Sequence, residues 1–211
     1  MSFFGIAHVT GAVVGLLGLL LVGCDAPPSP PPPRTIAPSN PMGSTPFILP
    51  GITDIELLAV DATNIPDETP VVGVVVENEA RAYLTDGMTR MDSHIVNDRI
   101  GQRSVSVTYC DRTDCVRVLT DETATAPLAL ELGGFSDAQM LLRWKENMYP
   151  QSSEQIPLQA QEFQRVTWGV WKQEHPETVV YLGHAKSRFK KSTNSAAPTP
   201  ETPAPTRVAR P

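Results

Sequence analysis

The chain has no Gly-x-Ser-x-Gly elbow, no His-Glu-x-x-His pair and no glycine-rich nucleotide loop. Hydrolase, kinase and dehydrogenase readings therefore have no motif to rest on. Cysteine and histidine are scarce, at three and four in 211 residues, and nowhere fall in the Cys-x-x-Cys and His-x-x-x-His spacing of a local zinc site. Basic residues are few. Between residues 51 and 185 there are 10 Lys and Arg against 21 Asp and Glu, a balance of −11. That excludes a nucleic-acid surface, which needs clustered positive charge to meet phosphate. Residues 25–50 and 187–211 are poor in large apolar side chains, so burial there cannot offset the entropy of ordering. No internal repeat is present.

What is present begins with a long apolar run, Phe3 to Val22, closed by Leu21-Val22-Gly23-Cys24. A small residue before cysteine at the end of an apolar segment resembles the bacterial lipobox. The run carries no Lys or Arg ahead of it, unlike the usual signal. The alternative is an uncleaved membrane helix, for which the run is just long enough. The stiff Pro-rich spacer after Cys24 favours a lipid anchor that holds a domain off a membrane. Residues 1–23 are read as a lipoprotein signal peptide. Residues 24–50 are read as a lipidated Cys24, bearing acyl chains such as palmitate, with a linker. The expected location is the bacterial cell envelope, with the domain facing the periplasm or exterior and the lipid on Cys24 as its membrane contact.

Residues 51–186 are expected to form one β-rich domain, and residues 187–211 a disordered tail. The run Arg188 to Lys191 reads as a solvated exit from the last strand, with contact to anionic lipid as the alternative. Leu57 to Ala59 is expected to end a helical turn. Pro70 to Val76 and Ala80 to Leu84 flank a turn at Glu77–Glu79 and predict a hairpin. Ile95-Val96 and Ser104 to Cys110 predict a second, with Asn97 to Gly101 as its turn. Cys110 and Cys115 bracket a third. Leu128 to Leu132 and Gln139 to Trp144 predict a fourth around Gly133-Gly134. Thr167 is a plausible N-cap for a helix carrying Trp168 and Trp171 and stopped by Pro176, and Thr178 to Leu182 is a closing strand. The fold class is mainly β (α+β): a small antiparallel barrel or curled sheet with one or two short helices.

Strand alternation sorts the cysteine hairpin. Val105, Val107 and Tyr109 point one way as a core face. Ser106, Thr108 and Cys110 point the other, with Cys115 opposite Cys110 and Arg117 beside them, as a solvent face or the wall of a polar pocket. A four-residue turn brings the two cysteines within disulfide range, and an oxidising compartment favours the bond. The rival readings are a redox-active or ligand-binding thiol pair and unpaired thiols. With His94 as third ligand, Cys110 and Cys115 are also a candidate zinc or copper site, and Asp98 is a candidate acceptor orienting His94. Arg81, Tyr83, Asn97 and Asp98 complete the pocket candidates.

The stretches VVGVVVENEARAY, HIVNDRIGQRSVSVTYC, MLLRWKENMYPQ and TWGVWKQEHPETVVYL, in that order, resemble the bacterial family called domain of unknown function 3179. The resemblance spans about Leu57 to Leu182 and implies a fold and a site region, not a reaction. The family's second cysteine follows the first more closely than Cys115 follows Cys110. Of its Leu-Trp-Ser-Gln stretch only Gln151 is retained. Three functions stay open: an envelope lipoprotein binding a small ligand or an envelope protein, a thiol-redox or metal-handling protein using Cys110, Cys115 and His94, and a structural envelope component.

Overall fold

A computed structural model describes residues 47–136 and 139–191. The signal segment, Cys24 and the tail beyond residue 191 lie outside the described residues. Among the described residues no helix is long and apolar enough to cross a membrane.

The chain enters through two short strands, β1 (Leu49–Pro50) and β2 (Leu57–Ala59). Three hairpin strand pairs follow from β3 (Pro70–Val76), β4 (Glu79–Leu84), β5 (Ile95–Ile100), β6 (Arg103–Cys110) and β7 (Cys115–Asp121), β6 serving in two of them. A meander of β8 (Glu131–Ser136), β9 (Gln139–Trp144) and β10 (Asn147–Pro150) comes next. The chain ends through β11 (Gln159–Ala160), β12 (Gln164–Thr167), helix α1 (Trp168–Glu174), β13 (Val179–Tyr181) and the short helix α2 (Lys186–Phe189).

These strands form three sheets rather than a closed barrel. Their orders are β12-β3-β4-β13-β2, β11-β7-β6-β5 and β1-β8-β9-β10. Every pairing is antiparallel except β13 with β4. The mainly β class with two short helices is thus realised as a stack, and the buried clusters show its order. Val72, Val74 and Tyr83 of the five-stranded sheet pack with Val96, Val105 and Val107 of the central sheet. Cys110 and Leu119, from the other face of the central sheet, pack with Leu132, Met140 and Leu142 of the third sheet. Trp168 and Trp171 of α1 cover the outer face of the five-stranded sheet through Val71, Ala82 and Val180.

Two glycines permit close approaches. After β1 the chain crosses from the third sheet to the central one, where Ile52 pairs with Val96. A Cβ on Gly51 would lie 2.4 Å from Asn97 Nδ2 and 2.5 Å from the Leu130 oxygen. In β3, a Cβ on Gly73 would meet the Trp171 ring at 2.2 Å. Both are contacts that no side chain tolerates.

Five expectations are corrected. Leu57–Ala59 is a strand, and the helical element is the 3-10 turn that follows at Val60–Ala62. Asn97 and Asp98 lie inside β5, with the turn only at Gly101, because both side chains find partners across sheet interfaces. Gly133-Gly134 sits at an irregularity within β8, not in a hairpin loop. The folded unit extends beyond residues 51–186: Leu49 pairs with Leu132, and Phe189 is buried against the α1 cluster. The run Arg188 to Lys191 is not a free basic patch. Arg188 pairs with Asp86, Lys190 with Glu56, and the Lys191 amide donates to Ala62.

Candidate functional site

The pocket expected beside the cysteine hairpin is instead two enclosed polar networks, one on each face of the central sheet. Alternation along β5 separates them: Asp98 faces the five-stranded sheet and Asn97 the third sheet. Asp98 is buried and accepts from Arg81 Nη1 at 2.6 and 2.7 Å and from the Tyr83 hydroxyl at 2.6 Å. The Arg99 amide adds a third donor, and a fourth contact, at 2.5 Å. Burial pushes the Tyr83 phenol well above its ordinary value, and the Asp98 carboxylate pushes it further. Asp98 does not orient His94; its partners are Arg81 and Tyr83.

On the opposite face, Ser106 donates to Asn97 Oδ1 at 2.5 Å, and Asn97 Nδ2 donates to the Leu130 oxygen at 3.0 Å. Thr108 donates to the Arg117 oxygen and accepts from Gln151 Nε2, both at 2.9 Å. Arg117 Nη1 reaches the backbone oxygens of Gln151 and Ser153. Burial draws the Arg117 guanidinium below its ordinary value, with Glu154 acting against the shift. Arg117 and Gln151 thereby fasten residues 151–158 as a strap over the hairpin, and Ile156 and Leu158 of that strap enter the same apolar cluster as Cys110. Ser106 and Thr108 are fully buried, so their face is neither solvent-exposed nor an open pocket wall. Among the described residues every buried side-chain polar atom has a hydrogen-bond partner.

The β6–β7 register sets Cys110 opposite Cys115 as expected. Cys110 is nevertheless a free, buried thiol, so the bridge expected between the two is not formed. Facing Cα atoms are only one condition for that bond, which also needs a sulfur separation of about 2.0 Å and a narrow dihedral range. Cys110 packs among Ile95, Leu119 and Leu128, while Cys115 is half-buried at the margin of that cluster.

His94 is buried at the start of β5. Its Nδ1 lies 2.8 Å from the Met88 carbonyl oxygen, which can only accept, so Nδ1 carries the proton. Its Nε2 lies 3.6 Å from Asp111 Oδ1, and its ring meets Phe135 edge-on at 6.0 Å. The Arg112 guanidinium covers that same phenyl ring at 4.0 Å. Among the described residues no three His, Cys, Asp or Glu side chains converge on a metal position. The set His94, Cys110 and Cys115 is not among such convergent groups; the Nδ1 bond to the carbonyl leaves Nε2 as the nitrogen facing Asp111.

Open clefts lie elsewhere among the described residues. A cleft of about 680 Å³ runs between the 52–58 segment, the 3-10 turn Met91–Ser93 and the chain after β13. Ile52, Ile55, Leu58 and Tyr181 give it apolar walls, and Arg90, Asp92 and Lys186 line it with charge. A second cleft, of about 640 Å³, opens beside Arg81 and is lined by Glu79, Glu174, His175 and Glu177. Sequence reasoning missed the first cleft because its residues come from irregular turns, two three-residue strands and the start of α2, none of which carries a periodic signal. It also passed over Gln151 as a site residue, although the retained family glutamine was the one available pointer.

Tyr181 gives this region a pH signature. Burial, then the nearby Asp92 charge, raises its phenol from 10.0 to about 12. Tyr83 and Tyr109 shift the same way. The folded chain therefore holds these protons to higher pH than the unfolded chain does. The Tyr181 contribution to stability is complete below pH 10.0 and is lost as pH rises from there through about 12. The expected result is a urea midpoint that declines across that window, with a shallower decline in Tyr181→Phe. Urea melts at stepped pH, followed alongside phenolate absorbance, check it.

Over residues 48–196 the chain matches the family described as "Protein of unknown function (DUF3179)". No curated protein and no solved structure matches it.

Proposed function

The chain belongs to the DUF3179 family, whose description assigns no activity, and we propose that its domain is a non-catalytic ligand-binding module held at the bacterial envelope by lipid on Cys24. The observation that carries this reading is the contrast between enclosed and open polar groups. The chemically versatile side chains Cys110, His94 and Asp98 are buried and fitted into packing or hydrogen bonds. The cleft of about 680 Å³, by contrast, has the size and the mix of apolar wall and few polar groups typical of small-ligand sites. A purely structural component has no need of such a cleft. Thiol chemistry would first require the 151–158 strap to leave Cys110. The anchor rests on Leu21-Val22-Gly23-Cys24 and the Pro-rich spacer after it.

The test uses the full chain, made in a bacterial envelope and purified in detergent. Native mass spectrometry of the wild type is expected to retain a small molecule that Ile55→Trp, which fills the cleft, does not retain. Circular dichroism must show the variant folded. Retention of the same mass by Ile55→Trp would move the binding site away from the cleft, and a bare wild type would favour the structural reading. In the same cells Cys24→Ser is expected to shift the protein from the membrane to the soluble fraction.

A further inference from the structure

Building on that reading of the cleft, we infer that its ligand is a short zwitterionic peptide of two or three residues with an apolar side chain. The argument starts from the charge pattern. The cleft carries Arg90 and Lys186 against Asp54, Glu56 and Asp92, so both signs are present and neither dominates strongly. A polyanion or a polycation would meet a like charge wherever it met an opposite one. A molecule with one ammonium and one carboxylate matches such a surface, each end facing its opposite sign.

The charges are also arranged as pairs that remain accessible. Arg90 and Asp92 are linked at 3.0 Å, with side chains 63% and 61% exposed. Lys186 is paired with Glu56, at 45% and 42% exposure. Exposed pairs are held weakly, so an incoming carboxylate or ammonium can share them without a large loss. Glu56 already serves a second cation, Lys190, at 2.7 Å. That end therefore carries an excess of positive charge and suits the peptide carboxylate. Asp92 and Asp54 remain for the ammonium. Tyr181 lines the same cleft and adds a phenol that can bond a peptide group.

The walls set the rest. Ile52, Ile55 and Leu58 offer apolar surface between the charged groups, which a branched or aromatic side chain would cover. A volume of about 680 Å³ accommodates a di- or tripeptide and not a folded partner.

The test is isothermal titration calorimetry of the full chain in detergent with the dipeptide leucyl-phenylalanine and with its N-acetylated, C-amidated form. The free dipeptide is expected to bind at least tenfold more tightly than the blocked one. The double variant Arg90→Gln/Lys186→Gln is expected to shrink that difference by weakening the free dipeptide more than the blocked form, since the ammonium contacts at Asp92 and Asp54 remain. Asp92→Asn, which preserves side-chain volume, should reduce dipeptide affinity by itself. Equal binding of the two forms, competed by Ile55→Trp in both cases, would overturn zwitterion recognition and leave the cleft a binding site. Binding of neither form overturns the peptide assignment, and the co-purification experiment then judges the cleft separately. Cleft-dependent binding to phosphatidylethanolamine vesicles, without dipeptide binding, would assign the cleft to a lipid headgroup and overturn the peptide as well.

Discussion

Asp98→Ala is expected to lower the stability of the domain by about 3 kcal/mol, within the range for breaking a buried ion pair by removing one partner. The carboxylate is 4% exposed and holds the Arg81 guanidinium through both oxygens. Without it the arginine keeps its charge between two sheets, and Tyr83, fully buried, loses its acceptor. The low end of the range applies because Arg81 remains 14% exposed and borders a cleft through which water can reach it. Against a total of roughly 5–15 kcal/mol for a domain of this size, that loss is a large share. Urea unfolding would measure it. Asp98→Asn, which keeps an acceptor for Tyr83 but not the charge, should fall between. Replacing the whole network, as Arg81→Met/Asp98→Leu/Tyr83→Phe, should recover most of the stability, since no unpaired charge is then left inside. If the triple variant is less stable than Asp98→Ala, the uncompensated charge is not the source of the loss.

The second large effect is Trp171→Ala, at about 3–5 kcal/mol for removing a buried indole. The ring is fully buried on the outer face of the five-stranded sheet. It occupies space that Gly73 leaves open, its Nε1 donates to Thr178 Oγ1 at 2.9 Å, and the His175 ring lies 4.1 Å from it. The close fit makes a coupled prediction. Gly73→Ala alone forces a methyl into the ring and should cost about 1–3 kcal/mol as overpacking. In a Trp171→Ala background the same methyl enters vacated space and should cost less. A double-mutant cycle measured by denaturant titration is expected to show clear non-additivity. Additive losses would mean that Gly73 is not fitted to the indole.

How far the sequence carried depends on where each residue's partners lie. β3 and β4 were readable because their valines and the Glu77–Glu79 turn are local signals. The cysteine hairpin was readable for the same reason, down to the pairing of Cys110 with Cys115. Asn97 and Asp98 misled because isolated Asn-Asp is turn chemistry. Their actual partners, Leu130 on one side and Arg81 and Tyr83 on the other, come from different sheets. Ser106 and Thr108 suggested a wet face because alternation alone does not reveal a third sheet above it. Thr108 is satisfied by Gln151, 43 residues later. Arg81, Tyr83 and Asp98 do meet, but their grouping with Asn97, Ser106, Thr108 and Arg117 in one pocket failed for the same reason: the sheet itself separates the two sets. The family resemblance marked the matched span and left the cleft at Tyr181 unseen, because that cleft depends on how turns meet and not on any run of residues.

The place of β13 bears on the order of events during synthesis. Val179–Tyr181 lies between β4 and β2, and β2 has no other neighbour in its sheet. A strand near residue 58 therefore waits for one near residue 180 before it can dock. Such distant pairings make for slow acquisition of structure. Most of the chain leaves the ribosome before the five-stranded sheet can close, so β2 stays undocked until the last strand has been made, while the local hairpins β3–β4, β5–β6–β7 and β8–β9–β10 have their partners earlier.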